Sequence, residues 1–356
     1  MKYIVIIFPG KWSSIDCTRY KINEMLSAGY KVKIVGDSFE EGLEYFSLKR
    51  KSLLAFIKAS KKNKDSIQIF NANPNIPEIN ILVMCTIFNI QYSILIHNQI
   101  LETFNNNFKK YLKIIYYKLI FLFLNNPKYI FFGGNSVKDS YLFNFAEERV
   151  EIHSHDYEIY LEDALNISQV RSEAQNKYAV FIDEGGDFHP DQDFVKSYSG
   201  FIKGYYPDLN KALKTLSSKL NVEIIIALHP RVDYLNAKNI FDFKISQDST
   251  IDLIKNSDLV IGHKSTALSF AILYDKDILI LESSYGEASY NNSLESLALF
   301  FNTLPLRMEN IKHLKKDDIY EYFCKKDFYA KYINLFITPS AANSRSWVEN
   351  FKEHLI

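Results

Sequence analysis

Short apolar runs alternate along this chain with stretches in which apolar positions recur every three or four residues, the strand and helix patterns respectively. In the first half the runs predict strands over 3–8, 31–35, 67–70, 92–96 and 129–132. Helices around 16–28, 50–60, 77–88 and 107–124 lie between them. The second half repeats the alternation, with strands over 178–182, 222–228, 258–261 and 277–281 and helices over 208–220, 249–256 and 265–274. A strand that leaves through a helix and returns pairs in parallel, so both halves read as βαβ units around a parallel sheet. Between the halves the stretch 162–177 is polar and poor in large apolar residues, the best linker candidate.

Length agrees with that division, because 356 residues exceed one ordinary domain. The pattern places a first domain over 1–165, a second over 172–335 and a terminal helical segment over 336–356. Apolar residues make up 47% of the chain against only 12 glycines and 9 prolines, so packed cores are expected rather than disorder. The 42 basic and 42 acidic side chains cancel, which leaves no whole-molecule field to attract nucleic acid. Cys17, Cys85 and Cys324 have neither metal-site nor CxxC spacing and read as thiols of a reducing cytoplasm. The N-terminal apolar run is too short for a signal peptide. The most hydrophobic stretch, 111–124, is interrupted by Lys113 and Lys118. It falls short of the roughly 20 residues a spanning helix needs. Two readings of 107–124 stay open: a buried helix, or a peripheral helix on the inner membrane surface with Lys109 and Lys110 at the headgroups.

Chemistry concentrates at three strand ends of the second half. Asp183-Glu184-Gly185 follows the run 178–182, where a carboxylate at a strand's carboxyl end can take a proton and the glycines let the backbone turn. His229-Pro230-Arg231 closes the run 222–228. Proline holds His229 extended, and an imidazole or guanidinium there can meet a phosphate or carboxylate. Gly262-His263-Lys264 leads from 258–261 into Ser265-Thr266, a predicted helix start whose hydroxyls and free N–H groups suit an anion. Elsewhere Asp191 and Asp193 form an Asp-x-Asp pair, but in a loop, and read as solvated acids. His189-Pro190 closes no apolar strand, and His153, His155 and Asp156 read as an interdomain polar segment.

Taken in order, the three boxes resemble the D/E-D/E-G, HP and S-S/T boxes of the bacterial sialyltransferases and their relatives. The resemblance covers the donor half of the chain. It implies an α/β GT-B fold, two Rossmann-like doubly wound domains facing a central cleft, with the terminal helix crossing back to the first. It further implies transfer of a nonulosonic acid (sialic, legionaminic or pseudaminic type) or Kdo from its CMP ester to a bacterial surface-glycan acceptor, an oligosaccharide or glycolipid. Asp183 would act on the acceptor hydroxyl, and His229 with Ser265 and Thr266 on the CMP phosphate. Glu184, Gly185, Pro230, Arg231, His263 and Lys264 would complete the donor site, with no metal or other cofactor. In the first half Gly10, Lys11 and His97 end strands and are the acceptor candidates. Both an inverting and a retaining course stay open. So do two rival readings: a CDP-polyol phosphotransferase of the teichoic-acid type, and a non-catalytic membrane-peripheral scaffold.

Overall fold

The computed structural model describes residues 1–8, 10–72, 79–96, 115–139, 141–166, 178–185, 204–229, 240–246, 249–339, 349 and 352–354. They form two compact units, one built from Met1–Gln99, Phe104–Ile159 and Asn334–Ile356, the other from Tyr160–Ile333.

The first unit holds strands β1 (Lys2–Ile7), β2 (Lys11–Trp12), β3 (Lys31–Val35), β4 (Ser38–Phe39), β5 (Ser66–Asn71), β6 (Gln91–Ile96), β7 (Tyr129–Phe132) and β8 (Glu148–Glu151). Six of them make one sheet in the order β3-β1-β5-β6-β7-β8, and every pairing is parallel. The two-residue strands β2 and β4 pair separately. Side chains alternate across a strand, so Val5 and Ile7 enter one core while Ile4 and Ile6 enter another, and both faces demand apolar residues. Tyr20, Ile22 and Met25, from or beside the helices Ser14–Arg19 and Ile22–Ser27, cover the second face. Leu53–Lys62, Ile79–Ile87 and the helical residues 115–121 cover the first. The change of face at β1 is what makes the sheet doubly wound.

Within this frame the predicted helix 16–28 is two short helices, because Lys21 adopts a left-handed φ of 48°. Strand β8 and the helix His155–Asn166 were not expected. His153, His155 and Asp156 are buried rather than part of a polar connecting segment. His153 Nδ1 lies 3.0 Å from Thr338 Oγ1, and Ser154 N–H donates to Ile337 O at 2.9 Å. The segment from Asn334 therefore belongs to the first unit. There Asn135 Nδ2 donates to Asn334 Oδ1, and Gly134 (φ +104°) passes so near Leu335 that an added Cβ would lie 2.4 Å from its carbonyl oxygen.

The second unit has strands β9 (Tyr178–Ile182), β10 (Glu223–Ala227), β11 (Lys244–Ser246), β12 (Leu259–Gly262), β13 (Asp277–Glu282) and β14 (Leu306–Arg307). They are parallel in the order β11-β10-β9-β12-β13-β14. Counted within the unit this is 3-2-1-4-5-6, the order of dinucleotide-binding doubly wound sheets. Helices Tyr205–Leu220, Thr250–Asn256, Leu268–Leu273 and Ala288–Phe300 accompany it. The short edge strands β11 and β14 and the helix Ala288–Phe300 escaped the sequence pattern. Most of the predicted terminal helix lies outside the described residues.

Candidate functional site

In an open parallel sheet the connections on the two sides of a topological switch point diverge, leaving a crevice beyond the strand ends. In the second unit that point lies between β9 and β12. The residues after β9, β10 and β12 are those of the three boxes, so the fold brings Asp183, His229 and 263–266 to one edge of one sheet, on adjacent strands. The register fixes their level: Ile182 pairs with Ala227, Phe181 pairs with Ile261, and Asp183 N–H donates to Ala227 O at 2.9 Å.

Asp183 is 4% exposed. Gly185, at φ +81°, turns its N–H onto Asp183 Oδ2 at 3.1 Å, a tight turn that a side chain at 185 would strain. That hydrogen bond favours the ionised carboxylate, but burial outweighs it. With Glu184 adding a smaller repulsion, the Asp183 carboxyl is pushed up to about 7. A carboxyl half-protonated near neutrality can take up or release a proton there. Glu184 accepts a short hydrogen bond from Tyr290 Oη through Oε2, while its Oε1 is buried with no hydrogen-bond partner among the described residues.

The β12 side departs from expectation. His263 is buried: its Nδ1 lies 2.7 Å from Leu281 O and its Nε2 2.7 Å from Tyr205 Oη. A carbonyl only accepts, so Nδ1 carries the proton and Nε2 accepts from Tyr205. Burial, followed by the nearby Asp183 charge, pushes the Tyr205 hydroxyl far above its ordinary value, which keeps it a donor. Both nitrogens of His263 are thus engaged within the unit instead of reaching toward a phosphate. The helix opens at Leu268, not at Ser265. Residues 265–267 form a turn in which Ser265 Oγ accepts from Ala267 N–H at 3.2 Å and Ser265 O accepts from Leu268 N–H at 3.2 Å. Lys264, Ser265 and Thr266 are half-buried, as is His229, two residues beyond β10. Pro230 and Arg231 lie outside the described residues, as do Asp191 and Asp193. Tyr205 and Tyr290 are the partners that sequence reasoning missed; they come from helices distant in the chain and belong to no box.

In the first unit Gly10 has φ +91°, and its N–H donates to Asp37 Oδ2 at 3.1 Å. Lys11 is exposed in β2, and His97 lies outside the described residues. Among the described residues no group of three His, Cys, Asp or Glu is placed to hold a metal ion.

No family model and no curated protein matches the chain. Solved structures do. A variant of the wall teichoic acid polymerase TagF soaked with CDPG is similar at a TM-score of 0.51 and 15% identity, over 99% of this chain and 88% of that one. The UDP-GlcNAc 2-epimerase of Neisseria meningitidis bound to UDP-GlcNAc follows at 0.49 and 11%, over 94% and 95%. MurG of Acinetobacter baumannii follows at 0.42 and 9%, over 94% and 91%. At these identities the likeness concerns the fold, which is α/β with two Rossmann-like units, of the GT-B type.

Proposed function

We propose that this protein is a glycosyltransferase that uses a nucleotide-activated donor at the carboxyl edge of the second sheet, and that the donor is a CMP ester of a nonulosonic acid or of Kdo. The observation that carries the reading is Asp183: a buried carboxyl poised at about 7 at the switch point, with the His229 and Ser265-Thr266 boxes on the strand ends to either side.

In this reading Asp183 takes the proton of the acceptor hydroxyl as the new C–O bond forms. A carboxylate with a raised pKa is the stronger base for that step. The bond from the sugar to the CMP phosphate breaks, and the departing phosphate gathers negative charge. His229, Lys264 and the hydroxyls of Ser265 and Thr266 are the groups on this edge suited to receive it. Glu184, held by Tyr290, has a second carboxylate oxygen, without a partner among the described residues, for a donor hydroxyl. The acceptor would be a bacterial surface glycan. The second reading, transfer of polyol phosphate from a CDP-polyol, takes its motive from the likeness to TagF soaked with CDPG.

Thermal unfolding with CMP, CDP, UMP and UDP, on the wild type and on His229→Ala, separates these readings. A ligand at 100 times its Kd adds about 2.7 kcal/mol to the folded state. Selective stabilisation by CMP, lost in His229→Ala, is the expected result. Preference for CDP would transfer the case to polyol phosphate, and no response to any cytidine nucleotide would sink both.

A further inference from the structure

The first unit's sheet has, on one face, three neighbouring helices: Leu53–Lys62, Ile79–Ile87 and 115–121. They run back against the strands, so their C-terminal ends share the edge where the strands begin. Two hydrogen bonds tie those ends together: Lys61 Nζ donates to Asn89 O, and Asn125 N–H donates to Thr86 Oγ1 at 2.9 Å. Phe123, Leu122 and Ile87, at 82, 72 and 69% exposure, are the three most exposed large apolar side chains among the described residues, and all lie here. Ile115, Tyr116 and Leu119 continue the stripe along its helix, while Ile120, Phe121 and Leu124 pack inward, so this segment is apolar on both sides. Scattered exposed apolar residues need no cause, but a contiguous set does.

Charge says what covers it. Residues 49–64 contain seven cations, Lys49, Arg50, Lys51, Lys58, Lys61, Lys62 and Lys64, and no acid, in a chain whose charges cancel overall. All seven are exposed. Lys61, Lys62 and Lys64 sit at the helix end beside the stripe. Among the described residues the acids of this edge pair with other cations: Asp65 with the Met1 amino group, and Glu147 and Glu148 both with Lys128. An apolar stripe rimmed by cations matches the boundary between anionic headgroups and acyl chains. A second copy of the chain across a twofold would instead bring like lysines to the same contact.

We propose that this end of the first unit docks on an anionic lipid bilayer, with Ile87, Leu122 and Phe123 entering the headgroup–acyl boundary and Lys61, Lys62 and Lys64 meeting lipid phosphates. The full chain should co-sediment with vesicles of phosphatidylglycerol and phosphatidylcholine far better than with phosphatidylcholine alone, and less as salt rises. Each lysine at such a surface is worth about fivefold in binding, so the triple variant Lys61→Gln/Lys62→Gln/Lys64→Gln should weaken it on the order of a hundredfold. Leu122→Asp/Phe123→Asp should abolish it while leaving the circular-dichroism melt unchanged, both side chains being exposed. Equal binding to both vesicle types would overturn the proposal, as would binding that survives either variant. A dimer in sedimentation equilibrium that Leu122→Asp/Phe123→Asp splits, with vesicle binding intact, would assign the stripe to a second copy and overturn it equally.

Discussion

Asp183 is where sequence and chemistry meet most directly. An apolar strand carried it to a carboxyl end, and the glycine two residues on was readable as a turn; both follow from local pattern. Its pKa was not readable, because burial depends on what packs over the strand end. That burial gives a stability test. The carboxyl is raised in the folded state, from an ordinary value of 3.8 to about 7, so the folded protein holds this proton more tightly than the unfolded chain. The associated stabilisation is complete below about pH 4, falls as pH rises through the window and is gone above about 7. A shift of some three units is worth roughly 4 kcal/mol. Asp183→Asn has no such proton to lose. Relative to the wild type it should gain stability by about that order between pH 4 and 8, read from urea midpoints. At pH 7 the same variant should lose about 100- to 10,000-fold in turnover. An unchanged stability difference across pH would mean the carboxyl is not buried as described.

At the scale of elements, strands buried on both faces were legible because their apolar runs are unbroken, as in 178–182 and 129–132. The edge strand β11, Lys244–Ser246, has three residues and no such run. The helix His155–Asn166 has Tyr157, Tyr160 and Leu161 at helical spacing, but the acids Asp156, Glu158, Glu162 and Asp163 crowd the same stretch and its buried residues include the polar His155, Asp156 and Glu158, so it read as a polar segment. His263 shows the same limit from another side. Its place in the sequence suggested a phosphate contact, yet its partner Tyr205 lies 58 residues away and Leu281 lies 18 away. The chain Tyr205–His263–Leu281 fastens the first turn of the helix Tyr205–Leu220 to the ends of β12 and β13. Tyr205→Phe removes the donor and leaves His263 Nε2 buried and unpaired, an expected loss of about 1–3 kcal/mol in urea unfolding. Stabilisation by CMP should persist in that variant, since neither group is assigned to the donor. Loss of the CMP effect with little loss of stability would move this pair into the binding site.

For the whole molecule the alternation of runs and helices read correctly as two parallel α/β halves, because each half repeats a local rule. Which residues complete each half was set by contacts remote in sequence. The segment from Asn334 supplies the first unit with Phe336 and Ile337, both buried, and with Thr338 against His153. A unit with its own core can unfold on its own, so calorimetry should resolve two transitions. Ile337 is 1% exposed, and truncating such a side chain costs about 2–5 kcal/mol. Ile337→Ala should therefore lower the transition of the first unit and leave the second in place, although residue 337 follows the second unit in the chain. CMP identifies which is which: under the proposed function it should raise only the transition that Ile337→Ala leaves alone. If the variant lowers that transition instead, the terminal segment stabilises the other unit; if both move together, the units unfold as one cooperative body, and the division of the chain holds for packing but not for stability.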